Sequence, residues 1–142
     1  MVESAEGSGP PEVRAFRLLV VEDNPHLTTM FGDALRRLGG PGVAIEIELA
    51  RDGAEALARL GRAQLPSLVL TDLYMPVMDG FTLVERIRGD PRLAALPVVA
   101  LSAGGSEARA RAVELGVNAY LQKPVKVAAL LDTVAAHLKL SR

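Results

Sequence analysis

The 142-residue chain contains no cysteine. That excludes disulfides, thiol nucleophiles and thiolate metal sites, and it fits a reducing compartment. No apolar run approaches the roughly 20 residues that cross a bilayer. The N-terminus lacks a basic segment leading into an apolar stretch, so no signal peptide is expected. A cytoplasmic location without membrane insertion is therefore the expectation. An excess of one charge is missing too. Sixteen Lys and Arg against seventeen Asp and Glu leave a formal net charge of −1, which argues against broad attraction to nucleic acid or membranes. Neither G-x-x-x-x-G-K-[ST] nor G-x-G-x-x-G follows a strand-like run, so a nucleotide-phosphate loop is not indicated. The only histidines, His26 and His137, stand far apart and have no metal-ligand spacing. No internal repeat is evident.

What remains is ordinary globular material. The 49% hydrophobic content and the length suit one domain with a full core. Residues 1–14, MVESAEGSGPPEVR, are small, polar and rich in Pro and Gly. They read as a disordered leader, with one domain over 15–142. From Phe16 onward, strand-like runs at 16–21, 43–49, 67–71, 97–101 and 118–122 alternate with helix-like segments. The helices are expected at 25–38, 53–61, 80–89, 105–115 and 125–139. Such alternation predicts βαβ units: a doubly wound parallel sheet with helices on both faces, hence three layers. Asp52 is placed to cap the second helix, and Gly116 to end the fourth. VAIEIEL, at 43–49, alternates apolar and acidic residues and so belongs at a half-exposed sheet edge.

Four of these runs deliver a polar group where the apolar stretch ends. Leu18–Val21 leads to Glu22 and Asp23. Leu68–Thr71 leads to Asp72. Val98–Leu101 leads to Ser102, and Ala119–Gln122 leads to Lys123 and Pro124. In open parallel sheets ligands bind at the carboxyl ends of the strands. Three carboxylates, a hydroxyl and an ammonium therefore converge on one pocket able to hold a divalent cation and a phosphoryl group. Asp72 is the candidate nucleophile, since carboxylates form aspartyl phosphates. Mg²⁺ prefers oxygen ligands and is usually held by one or two carboxylates plus phosphate oxygen. Asp23, Asp72 and the Tyr74 backbone carbonyl are candidate ligands, with Glu22 direct or through water. Lys123 supplies a point charge and Ser102 a hydroxyl donor. Each residue alone has a plainer reading. Glu22 and Asp23 could cap the helix opened by Pro25, Ser102 could cap the helix after it, and Lys123 could be a solvated surface charge. The joint pattern is what carries the argument.

The motifs L-V-V-E-D-N, L-V-L-T-D-L-Y-M-P-V-M-D-G, V-V-A-L-S-A and A-Y-L-Q-K-P resemble the receiver domain of two-component response regulators, of the stand-alone, single-domain type. The resemblance runs over nearly all of 16–139. Asp72 follows Asp23 by 49 residues, Ser102 follows Asp72 by 30, and Lys123 follows Asp72 by 51; the family's order and approximate spacing are kept. The resemblance implies a flavodoxin-like sheet of order 2-1-3-4-5. It implies phosphoryl transfer to Asp72 from a sensor histidine kinase or phosphotransfer protein, with Mg²⁺ on Asp23, Asp72, the Tyr74 carbonyl and Glu22. Lys123 would contact the phosphoryl group, Ser102 would swing toward it, and Tyr120 would be the switch aromatic. Signalling would pass by protein–protein contacts to an unknown downstream protein. No direct nucleic-acid binding is implied, since the chain ends at Arg142 without an output segment. Nor is an enzyme, beyond autocatalytic phosphotransfer and dephosphorylation on Asp72. A cis Lys123–Pro124 bond is expected, because the chain must turn sharply to aim the amine into the pocket.

Two positions are less typical of the family. Tyr74 puts a large aromatic at the mouth, which should slow water and small phosphodonors, and Gly104 leaves the Ser102 side bare. Two other readings use the same residues. A haloacid-dehalogenase-like phosphatase also combines a strand-end Asp, a Ser or Thr, a Lys and Mg²⁺, but needs a second Asp where Tyr74 stands. A phosphate-independent receiver-fold interaction module would be expected to have lost an acidic or Lys position.

Overall fold

In a computed structural model, which describes residues 12–142, strands and helices alternate as the periodicity requires. The order is β1 (Arg14–Val21), α1 (Pro25–Arg36), β2 (Val43–Ala50), α2 (Gly53–Leu60), β3 (Leu68–Asp72), α3 (Gly80–Gly89), β4 (Val98–Ser102), α4 (Ser106–Leu115), β5 (Ala119–Gln122) and α5 (Val127–Leu138). The five strands form one parallel sheet in the order β2-β1-β3-β4-β5. The expected leader lies outside the described residues up to position 11. Its last residue, Arg14, already pairs with Val43 and opens β1.

Alternate residues of each central strand serve opposite faces. Leu18 and Val20 of β1, Leu68 and Leu70 of β3, and Val99 and Leu101 of β4 pack with Phe31 and Leu35 of α1 and with Leu130, Leu131 and Val134 of α5. Leu19, Val21, Val69 and Val98 face the other way, onto Ala56 and Leu60 of α2 and Leu83, Val84 and Ile87 of α3. A smaller cluster of Leu73, Phe81, Ala100, Ala108, Ala112 and Tyr120 seats α4. β2 lies at the edge, as its alternation demands. Ile45 and Ile47 pack against the α1 side, while Glu46 pairs with Arg17 at 2.8 Å and Glu48 with Arg62 at 3.2 Å.

Local chemistry sets the helix ends. The Asn24 side chain accepts from the His26 and Leu27 N–H groups at 2.9 and 3.2 Å, with Pro25 at the first helical position. α1 therefore has its cap without using Asp23. It stops at Arg36, two residues earlier than expected, where Leu38 and Gly39 close i→i+3 turns onto Leu35 and Arg36. Asp52 caps α2 through the Glu55 N–H at 2.8 Å. Gly116 ends α4 at φ 103°, the left-handed conformation that glycine adopts without strain. α5 starts two residues later than expected because Lys126 keeps an extended backbone (φ −74°, ψ 136°). The Lys123–Pro124 bond is cis, as expected. Among the described residues no helix is long and apolar enough to cross a membrane.

Candidate functional site

β1, β3, β4 and β5 end side by side, and the residues at or just past their ends carry the polar groups picked out above. Register brings them together: Val21 pairs with Thr71, Asp72 with Leu101, and Ser102 with Gln122. Glu22, Asp72 and Ser102 are buried, while Asp23 faces solvent. Lys123 Nζ lies 2.8 Å from Glu22 Oε1 and 3.2 Å from Asp72 Oδ2. One ammonium thus bridges carboxylates that are 50 residues apart in sequence. Glu22, Asp23 and Asp72 each present an oxygen within 4.8 Å of the others, and they are the one such group of acidic or ligating side chains among the described residues.

The electrostatics follow from burial and count. Burial pushes the Glu22 carboxyl above the usual glutamate range, and the neighbouring Asp72 adds to this. The Lys123 ammonium and the Asn24 N–H pull it back without cancelling the shift. Burial acts to lower Lys123, but Glu22 and Asp72 outweigh it, so the ammonium is held more firmly than in a free lysine. Three carboxylates against one ammonium leave negative charge in excess. An all-oxygen set of this kind fits a small hard cation such as Mg²⁺ and would not suit a soft one.

Asp72 is held by its own loop. Its Oδ1 accepts from the Leu73 N–H at 2.8 Å and from the Tyr74 N–H at 3.4 Å, leaving Oδ2 on the Lys123 side. α3 begins tight against this loop. Gly80 N–H donates to the Leu73 carbonyl at 2.9 Å, and a Cβ on Gly80 would fall 2.8 Å from the Leu73 Cα and deep inside contact with the Asp72 carbonyl. Ser102 Oγ accepts from the Gly104 N–H at 2.8 Å. It does not cap α4: the cap position is Gly105, which makes no side-chain hydrogen bond there. The Tyr120 hydroxyl donates to the Gly104 carbonyl at 2.8 Å. Ser102 and Tyr120 thus hold the same residue from its two backbone groups.

Of these residues the sequence reading singled out Glu22, Asp23, Asp72, Tyr74, Ser102, Gly104, Tyr120 and Lys123; it did not single out Gly80, and it missed two features of the mouth. The Ser102 side is not bare, because the Tyr74 ring occupies it: a Cβ on Gly104 would stand 3.1 Å from Tyr74 Cε2 and 3.1 Å from Ser102 Oγ. Asn24, next to the acidic pair, donates its N–H to Glu22 Oε2 at 3.1 Å while capping α1. The D-N pair in the first motif was the signal for it.

Comparison with known proteins agrees with the geometry. The family model described as response regulator receiver domain matches residues 18–135. The chain is 32% identical over 124 residues to the polar-differentiation response regulator DivK of Brucella anthropi, covering 85% of this chain and 94% of that one. The receiver domain of sensor histidine kinase PA1611 from Pseudomonas aeruginosa, solved with a magnesium ion coordinated in its active-site cleft, superposes with a TM-score of 0.78. It is 31% identical and covers 89% of this chain and 99% of that domain. The chemotaxis response regulator CheY4 of Vibrio cholerae gives a TM-score of 0.76 at 29% identity, with 87% and 99% covered. Other curated relatives are much longer: the chain spans 14%, 49% and 10% of three of them.

Proposed function

This chain belongs to the response regulator receiver domain family, and from that premise we propose that residues 15–142 form a phosphorylation-switched receiver that accepts a phosphoryl group on Asp72 from a histidine kinase or a phosphotransfer protein. One observation carries the reading. Lys123 bridges Glu22 and Asp72 inside a cluster where a third carboxylate, Asp23, remains exposed and unpaired with it. A plain structural ion pair needs one acid per base. A surplus of acids at a strand-end pocket is what a cation site needs.

In the proposed reaction an Asp72 carboxylate oxygen attacks phosphorus. The P–N bond to the donor imidazole breaks, and the imidazole leaves with the bonding pair and takes up a proton. Lys123, already against Oδ2, contacts a phosphoryl oxygen. The backbone N–H groups of Leu73 and Tyr74 keep the other carboxylate oxygen in place. Mg²⁺ held by Asp23, Asp72 and the Tyr74 carbonyl, with Glu22 assisting, would neutralise charge on the phosphoryl oxygens. The Ser102 hydroxyl accepts from Gly104 and keeps its own proton free to donate to the phosphoryl group. Because Tyr120 holds the carbonyl of that same Gly104, a turn of Ser102 reaches the ring through the β4–α4 loop. The phosphoryl group thus biases an existing equilibrium of loop and ring, which a downstream protein reads by contact in the cytoplasm.

Tyr74 stands where a haloacid-dehalogenase-like phosphatase needs its acid/base carboxylate, and the acidic and Lys positions are all present, so neither alternative reading is favoured. The test is intact-mass analysis after incubation with Mg²⁺ and acetyl phosphate or a phosphorylated kinase. The wild type should gain one phosphoryl group and Asp72→Asn none. Phosphate retained on Asp72→Asn refutes the assignment.

A further inference from the structure

α4 is weakly anchored by apolar burial. Its buried face consists of Ala108 and Ala112, and its N-cap makes no side-chain hydrogen bond. What holds it in addition are two guanidinium groups lying on aromatic rings. The Arg109 guanidinium carbon is 5.8 Å from the centre of the Tyr120 ring, and that of Arg111 is 4.1 Å from the centre of Phe81. The second contact is the closer, and its ring is not isolated. Tyr74 meets Phe81 edge-on, with centroids 5.6 Å apart and planes at 75°. Tyr74 itself is 55% exposed, so few groups fix its ring. Those given by the geometry are Phe81 on one side and the notch over Gly104, beside the Ser102 hydroxyl, on the other.

We propose that Arg111 is a positioning residue for Tyr74. The Phe81 ring is already buried among Leu73, Ala100, Ala108 and Ala112; Arg111 covers its remaining face, which keeps Tyr74 on the ring edge and so across the Ser102 side of the pocket as a wall against small phosphodonors. This rests on the reading of Asp72 as a phosphoryl acceptor. A cation over the ring face and an edge-on aromatic partner favour one ring placement between them. Without the guanidinium the Phe81 ring stays in its cluster but its outer face is uncovered, the edge-on placement of Tyr74 is no longer singled out, and the half-exposed Tyr74 ring spends more time away from the pocket. Acetyl phosphate then reaches Asp72 more often: its P–O bond to acetate breaks as the Asp72 oxygen bonds to phosphorus, and acetate leaves with the electron pair. A phosphohistidine presented by a partner protein brings a contact surface that can displace the ring, so the wall discriminates by donor size. Arg111 touches neither donor nor acceptor.

The experiment is a double-mutant cycle on the full chain. Rates of Asp72 phosphorylation by subsaturating acetyl phosphate with Mg²⁺ are followed by intact mass for wild type, Arg111→Ala, Arg111→Lys, Tyr74→Ala and the Arg111→Ala/Tyr74→Ala pair. Arg111→Ala and Tyr74→Ala should each raise the rate severalfold. The pair should do no more than Tyr74→Ala alone, and Arg111→Lys, which keeps a cation over the ring, should stay close to wild type. Additive gains, or no gain in Arg111→Ala, overturn the proposal. A second readout uses 3-fluorotyrosine incorporation, which labels just the two tyrosines of the chain; the Tyr74 signal is identified by its loss in Tyr74→Ala. That ¹⁹F resonance should shift in Arg111→Ala without any phosphodonor. If it does not move, the relay is refuted whatever the rates. If wild type takes no phosphoryl group at all, the acceptor reading fails, and the ¹⁹F shift alone then decides whether Arg111 positions Tyr74.

Discussion

Replacing Asp23 with Asn should stabilise the protein in the absence of divalent cations. The Asp23 carboxylate shares a space of 4.8 Å with those of Glu22 and Asp72, and Lys123 balances one of the two. Asp23 therefore faces about one uncompensated negative charge. At that separation two unit charges repel by about 0.9 kcal/mol even in bulk water, and the partly buried setting raises this. A screening length of about 8 Å at physiological salt leaves about half of the bulk-water value, and burial offsets the loss. The substitution sacrifices little in return, because Asn24 and not Asp23 caps α1. The expected gain is about 1 kcal/mol, or roughly 3–4 °C in Tm for a chain of this length. Melting should be followed by circular dichroism in EDTA and across a Mg²⁺ titration. Wild type should rise with Mg²⁺, by about 1.4 kcal/mol at ten times Kd, and Asp23→Asn should lose most of that rise while starting higher. If Asp23→Asn melts below wild type in EDTA and still responds fully to Mg²⁺, the carboxylate is structural and the cation site is elsewhere.

Glu22 gives a pH signature. Its folded pKa is raised, chiefly by burial, so its contribution to stability is complete below the ordinary glutamate range and is lost as pH rises through the folded value. In EDTA, wild type should therefore fall relative to Glu22→Gln as pH climbs through the acid range above that of a free glutamate; a constant difference in Tm rules out the raised pKa. Gly80→Ala should cost at least about 3 kcal/mol or prevent folding, since its Cβ meets the backbone of Asp72 and Leu73 with no flexible atom to give way; urea denaturation within 1 kcal/mol of wild type would contradict the packing described. Ser102→Ala removes the acceptor of the Gly104 N–H and should cost about 1 kcal/mol. It should still take a phosphoryl group by intact mass but lose the phosphorylation-linked shift of the Tyr120 ¹⁹F resonance in 3-fluorotyrosine-labelled protein; if that shift persists, the hydroxyl is not the trigger.

Much of this molecule was legible in one dimension because its signals are local. Period-2 alternation in 43–49 marked an edge strand, and unbroken apolar runs marked the buried ones, since a strand's environment is written in its own side chains. The convergence of Glu22, Asp23, Asp72, Ser102 and Lys123 followed from their common place at strand ends, because a parallel sheet puts all those ends on one side. The sheet order needed the family resemblance, as no local signal says which strands neighbour one another. Only the tertiary structure decided how the charges pair. Lys123 lies closer to Glu22 than to Asp72, and Asp23 stays at the solvent-exposed rim of the cluster although it adjoins the buried Glu22 in the chain. It also decided that Ser102 and Tyr120 meet on Gly104, and that Arg111 lies over the face of Phe81 while Tyr74 meets that ring edge-on. Those contacts join four separate elements and loops. The Arg111 contact depends on how α4 settles on Ala108 and Ala112, and the others on the paths of the loops after β3 and β4; no periodicity in the sequence encodes either.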